Sequence, residues 1–432
     1  MDTTATVNQR IWQAYVVVGL VSLLPKAMLV GRELIIAKHF STGTEVDAYV
    51  MALLVPTLVV QVVVSAFSLS LMPVYVRQRE REGAAEAGRL AARAMSFGLA
   101  VLAVIVVALY LGRPFLIPVL VASFPVAKQA LTGGYLGWLI PLLLLQGATS
   151  MWSSLITAEQ RFVGVGLLPA ITPSLTVCVL LTPLVDGGMQ MVVYATLAGA
   201  TTEAVLAGLL AHRTGLPLPH WGAIDADLGQ VLRRSAPMVG GMVLMNSNLV
   251  IDQVCASLVG SGSVAMLNYG NKVSAMLVAL VAMPVGVAVM PYFTSLVARA
   301  EWPPLLHSLK FWSLIILGVS VPGTILLMAL SPLVVSLLFP GFPPDTQMVV
   351  SAIQQGYLAQ MPFYLLGILG SQMITALGMV RAVFLIAISN FLLNLTLDLL
   401  LMDLIGLAGI ALSTSIVQLN SARSNETPRF DA

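Results

Sequence analysis

Long apolar runs leave this chain one class of fold. About twelve can be read, each close to or above the ~20 residues a helix needs to cross a bilayer. They lie near 11–38, 46–76, 88–112, 131–158, 162–185, 189–212, 230–259, 263–298, 308–339, 347–377, 380–402 and 404–420. The runs are continuous, without the in–out alternation of a membrane β-strand. With 58% hydrophobic and only 9% charged residues, the chain reads as an all-α polytopic membrane protein rather than a soluble domain. Turn-forming clusters separate the runs at Ser41-Thr42-Gly43, Asp186-Gly187-Gly188, Gly260-Ser261-Gly262 and 339–344. The short apolar stretch Phe115 to Phe124 is expected to lie along the membrane interface.

Basic residues set the orientation. Arg10, Arg77, Arg79, Arg81, Arg89, Arg93, Arg161, Arg213, Arg233, Arg234, Arg299, Lys310, Arg381, Arg423 and Arg429 fall on one side. Lys38, Arg113 and Lys128 fall on the other, which places both termini in the cytoplasm. Arg10 precedes a run too long for a cleavable signal, so the first helix is expected to act as the targeting signal. The chain also repeats itself at an offset of 218: Met72-Pro73 recurs as Met290-Pro291, and Ser153 to Ala158 as Ser371 to Ala376. Six spans per half is an even number, so the halves run parallel. Two six-helix lobes, 1–218 and 219–432, are therefore expected around a central cavity, working by alternating access.

Catalytic chemistry finds no foothold. Cys178 and Cys255 lie inside apolar runs, which implies neither a disulfide framework nor a metal site. The four histidines sit at span ends or in loops without metal-ligand spacing. There is no Gly-rich nucleotide loop. The chain reads as a non-enzyme, without a cofactor apart from a coupling ion.

The informative residues are the charges at membrane depth, where each costs about 2.5–3.5 kcal/mol on insertion scales. Lys26, Arg32 and Glu33 lie in the first run, and Lys272 in the eighth. Lys26 and Glu33, seven apart, share a helix face; Arg32 lies on another side. Gly31 offers a close approach for a neighbouring helix or a ligand. One reading is an internal salt bridge that fixes packing. The sharper one is a cationic lining for an anionic cargo, in which arginine binds phosphate through paired hydrogen bonds. Glu203 has no evident partner and is read as a packing residue.

A second set is acidic. Asn394 and Asp398 are four apart, so their oxygens face one way, one turn apart. Thr414 returns to similar depth on the last run, and Asp252 is the other carboxylate of that half. With the Ile410 carbonyl these form an oxygen-only set suited to a sodium ion. The competing reading pairs Asp252 with Lys272, at matching depth beside the Gly260 turn, and keeps Asp398 protonated.

Three stretches carry a family resemblance: GRELIIAKHFSTGTEVDAYVMALLVP at 31–56, SGSVAMLNYGNKV at 261–273 and GVAVMPYF at 286–293. They resemble the MurJ (MviN) lipid II flippases of the multidrug/oligosaccharidyl-lipid/polysaccharide exporter superfamily. The resemblance implies a multi-pass protein of the bacterial inner membrane. It would flip undecaprenyl-diphosphate-linked peptidoglycan precursor to the outer leaflet, in the service of cell-wall biogenesis and cell shape. Lys26, Arg32, Glu33 and Lys272 take the places of the family's cavity charges, and Asp47 that of its acid opening the second helix. Asp252, Asn394, Asp398, Ile410 and Thr414 match its sodium site. The chain departs from the family after Pro56, where TLVVQVVV replaces an arginine pair. It also ends in a polar tail where the family adds two helices forming a lipid-tail groove. Partners implied are the lipid-linked sugar diphosphate, membrane lipids and cell-wall synthesis proteins, with no nucleic acid. The alternatives are a flippase for exopolysaccharide precursors and a non-transporting scaffold for cell-wall enzymes.

Overall fold

The computed structural model describes residues 21, 23–159, 161–223, 225–272, 274–277, 293, 296–297, 299, 301–377 and 380–426. Helices account for nearly all of them, and no strand occurs among the described residues. Helix α1 covers 23–40, and α2 Thr44–Val59 runs through a π-turn, Val60–Val64, into α3 Ser65–Glu82. That π-turn follows Pro56 and falls in the stretch where the arginine pair is replaced. Next come α4 Ala84–Leu120, α5 Val126–Leu139, α6 Leu142–Ala158, α7 Phe162–Leu167, α8 Ile171–Leu180 and α9 Met189–Arg213. The chain continues as α10 Ala226–Val259, α11 described over 263–272, α12 Trp302–Leu338, α13 Pro344–Leu358, α14 Met361–Ala376, α15 Val380–Ile405 and α16 Leu407–Glu426.

Among the described residues, seven helices are long and apolar enough to cross a membrane, or eight if α5 and α6, bent by 41°, make one span. The expected spans 11–38 and 263–298 lie partly outside the described residues. The expected span 347–377 is divided between α13 and α14. The count among the described residues therefore stays below twelve.

One expectation is corrected. Residues 115–120 do not form a separate interfacial segment but extend α4 to Leu120. Arg113, inside α4, is satisfied locally. Arg113 lies 5.2 Å over the Tyr110 ring, and its Nη1 donates to the Gly133 carbonyl at 3.3 Å.

The chain forms two compact units. Unit 1 is Met1–Phe40 with Ala48–Val243, and unit 2 is Ser41–Asp47 with Leu244–Ala432. The repeat divides the sequence at 218/219, whereas packing divides α10 itself. Its first half is tied to α3 in unit 1, where Arg77 donates to Gln230 at 2.6 Å and pairs with Asp227 at 3.4 Å. The unit 1 core packs Phe67, Leu71, Tyr75, Leu90, Met95, Leu102 and Met151. Small residues bring helices close in both units, as lipid-embedded packing requires. A Cβ on Gly199 would stand 2.7 Å from the Thr172 backbone in unit 1, and one on Gly356 would stand 2.8 Å from the Ala411 Cβ in unit 2. Among the described residues a Cβ on Gly31 would meet nothing within 4 Å. The outer face of α15 is apolar and exposed, with Leu385, Leu392, Leu400 and Leu404 on it.

Candidate functional site: a buried acid cluster in unit 2

Helical periodicity puts Asn394 and Asp398 on one face of α15, and both are fully buried. Gly406, at φ 64°, takes the left-handed turn that lets α16 fold straight back. Ser413 and Thr414 thereby come level with them. The Ser413 hydroxyl donates to Asp398 Oδ1 in a very short hydrogen bond. Asp252, on α10, completes the cluster: its Oδ1 accepts from Asn394 Nδ2 at 3.3 Å and its Oδ2 from Thr414 Oγ1 at 3.2 Å. The Tyr357 hydroxyl, on α13, reaches the same Oδ2 at 3.5 Å.

The buried carboxyl groups of Asp252 and Asp398 lie close enough to interact electrostatically. Two ionised carboxylates this close and this buried repel strongly. The pair is stable when a cation lies between its oxygens or when it shares a proton. The donor set suits a small hard cation. Asn394 Oδ1 and Asp398 Oδ2 are buried acceptors with no hydrogen-bond donor among the described residues. No group of three or more His, Cys, Asp and Glu side chains fit for a metal occurs among them either. The Ile410 carbonyl is already used by its own helix, accepting from Ser413 at 2.7 Å and Thr414 at 3.3 Å. The hydrogen bonds described for Asp252 run to Asn394, Thr414 and Tyr357. Sequence reasoning missed Tyr357 and Ser413. For Ser413 a signal existed, since a hydroxyl beside Thr414 could turn to the second acid.

In unit 1, α1 carries the other charges. Arg32 and Glu33 are each only 6% exposed, and Arg32 Nη2 pairs with Glu33 Oε1 at 2.5 Å. Adjacent helix positions do not face each other, so only the long arginine arm closes this pair. The two residues expected on different sides are thus joined; α1 also carries Lys26, half-buried, and Lys38, exposed. Lys272 belongs to unit 2 and is half-buried on α11. Glu203 on α9 does have a partner, accepting from the Thr172 hydroxyl at 2.7 Å.

Asp47 has a separate task. Fully buried in the first turn of α2, it accepts the Gly262 N–H on Oδ2 at 2.6 Å and the Ala265 N–H on Oδ1 at 2.7 Å. It caps the start of α11, where free amides and the helix dipole favour a carboxylate. Tyr269 adds a bond to the Ser41 carbonyl at 3.2 Å. Asp47→Ala is expected to cost about 1–3 kcal/mol for each amide left without an acceptor. Thermal unfolding of the purified protein would show it, with Asp47→Asn falling between wild type and alanine.

The sequence-family model described as "Lipid II flippase MurJ" matches residues 36–422 of this chain. A protein of Synechocystis sp. (strain ATCC 27184 / PCC 6803 / Kazusa) named "Probable lipid II flippase MurJ" is 25% identical over 428 residues, covering 94% of this chain and 79% of its own length. A Helicobacter pylori protein of the same name is 29% identical over 196 residues, 45% of this chain and 42% of that protein. Among solved structures, "Lipid II flippase MurJ, inward closed conformation" superimposes with a TM-score of 0.79 at 17% identity, over 95% of this chain and 86% of that one. An inward-facing multidrug resistance MATE family transporter of the MOP superfamily reaches a TM-score of 0.74 at 12% identity, over 96% and 100% of the two chains. At these identities the structural likeness speaks for the fold.

Proposed function

Because this chain belongs to the MurJ lipid II flippase family, whose model spans nearly all of it, we propose that it flips lipid II, the undecaprenyl-diphosphate-linked peptidoglycan precursor, across the bacterial cytoplasmic membrane. It is a multi-pass membrane protein. Both termini lie in the cytoplasm on this reading, as the basic loops favour. It works by alternating access as a transporter and not an enzyme, beside the cell-wall enzymes that consume its cargo.

The observation that carries the reading beyond family membership is the charge on α1. Lys26 and the buried Arg32–Glu33 pair sit in a helix otherwise fit for lipid, and charge at that depth is kept for a polar partner. A diphosphate is such a partner: its oxygens match a guanidinium fork and an ammonium. Lys272, half-buried on α11 of unit 2, is proposed by the family resemblance as a cation for the same cargo.

Sodium is the proposed coupling ion. Asp252, Asn394 Oδ1 and Asp398 would hold it, with Thr414 turning its hydroxyl oxygen inward and the Ile410 carbonyl shared. Bound there it would tie α10, α15 and α16 together. It would bias the conformational equilibrium by its unequal affinity for the two states.

The test is translocation of fluorescent lipid II in proteoliposomes, with depletion in cells as its counterpart. Flipping in vitro and accumulation of lipid II on the inner leaflet are expected. Accumulation of an exopolysaccharide precursor instead would assign the other cargo. No accumulation of any lipid-linked sugar would leave the scaffold reading standing.

A further inference from the structure

Beside the acid cluster, unit 2 contains a cleft of about 410 Å³ between α10, α14, α15 and α16. Among the described residues its lining holds no charged side chain; amides and hydroxyls supply the polarity, chiefly Asn248, Ser371, Gln372, Asn390, Gln418 and Ser421. Three of these stand one helical turn from the cluster, on three different helices. Asn248 is four residues before Asp252, Asn390 four before Asn394, and Gln418 four after Thr414. All three steps lead toward the same end of the unit, where α10 enters it and α16 finishes. Cleft and cluster are therefore successive layers of one polar column.

We propose that this amide-lined cleft is the aqueous path by which a monovalent cation exchanges with the Asp252–Asp398 pair. The proposal rests on the cation reading of that pair. Its volume has room for roughly a dozen waters at about 30 Å³ each, so an ion can enter hydrated. Asn248 Oδ1 is a buried acceptor with no donor among the described residues, available to replace water as the ion sheds its shell. Neutral oxygens are the chemistry a passage needs, because conduction requires binding favourable enough to enter and weak enough to leave. Among the described residues, carboxylates, which would trap the ion, stand in the next layer. With both termini cytoplasmic, the cleft serves exchange with the cytoplasm.

The test separates path from site. Sodium should raise the melting temperature of the purified protein, and the rate of sodium exchange is read from sodium NMR relaxation. Gln418→Leu and Asn248→Leu keep the bulk and remove the oxygens. Each should slow exchange at least tenfold while leaving the melting shift at saturating sodium in place. Unchanged exchange in both would overturn the path and leave the site standing. No sodium-dependent shift in wild type would overturn the cation reading and the path with it. If the leucine variants do not fold, Gln418→Cys in a Cys178→Ser chain replaces them, since Cys255 is buried. A water-soluble thiosulfonate should modify it at least tenfold faster than Leu400→Cys on the lipid face. Equal or slower reaction would overturn the proposal.

Discussion

Arg32→Ala is expected to abolish lipid II translocation and to destabilise the protein by about 3–5 kcal/mol, the usual cost of removing one member of a buried ion pair. The stability loss has a local cause: Glu33, 6% exposed, would lose the guanidinium that stands 2.5 Å from its carboxylate. Transport and folding can be separated, because Arg32→Ala with Glu33→Gln removes both charges together. That double variant should recover most of the melting temperature and none of the flipping. Lys26→Ala, on a half-buried residue, should leave stability within about 1 kcal/mol and still reduce flipping at least tenfold. Arg32→Lys should fall between, since an ammonium keeps the charge and loses the bidentate geometry. Wild-type flipping by the double variant and by Lys26→Ala would remove these residues from cargo binding and leave Arg32–Glu33 a packing device.

The second large effect concerns the acid pair. Asp398→Asn is expected to eliminate the sodium-dependent stabilisation of the purified protein while leaving its fold intact, because an amide oxygen still accepts from Ser413. Asp252→Asn should do the same more disruptively, since Asp252 gathers bonds from Asn394, Thr414 and Tyr357. For a ligand at a hundred times its dissociation constant the stabilisation at stake is about 2.7 kcal/mol. Melting curves over a sodium series, with potassium as the control, measure it. A wild type indifferent to sodium but sensitive to pH would show that the carboxyl pair shares a proton. Retention of the full sodium response in Asp398→Asn would place the ion elsewhere.

Much of this was legible in the residues, for reasons that are local. Hydropathy alone decides that the chain is a helical membrane protein, because no other backbone arrangement of continuous apolar runs satisfies its amides in lipid. The four-residue step from Asn394 to Asp398 puts both on one helix face wherever that helix packs, and Lys26, Arg32 and Glu33 are conspicuous from their depth before any neighbour is known. What the tertiary structure decided is which faces meet. Tyr357 joins Asp252 across 105 residues. Asp47 caps a helix starting 215 residues away. Neither has a signature at its own position, since a tyrosine or an aspartate near a helix end is ordinary there. Arg32 and Glu33, read as lying on separate sides, are paired because a long flexible arm overrides the angular spacing of the Cα atoms. The extension of α4 to Leu120, through a stretch expected to lie along the interface, was likewise visible only in the structure. Periodicity is a property of one helix and can be read from its residues; partnership is a property of two, and only packing supplies it.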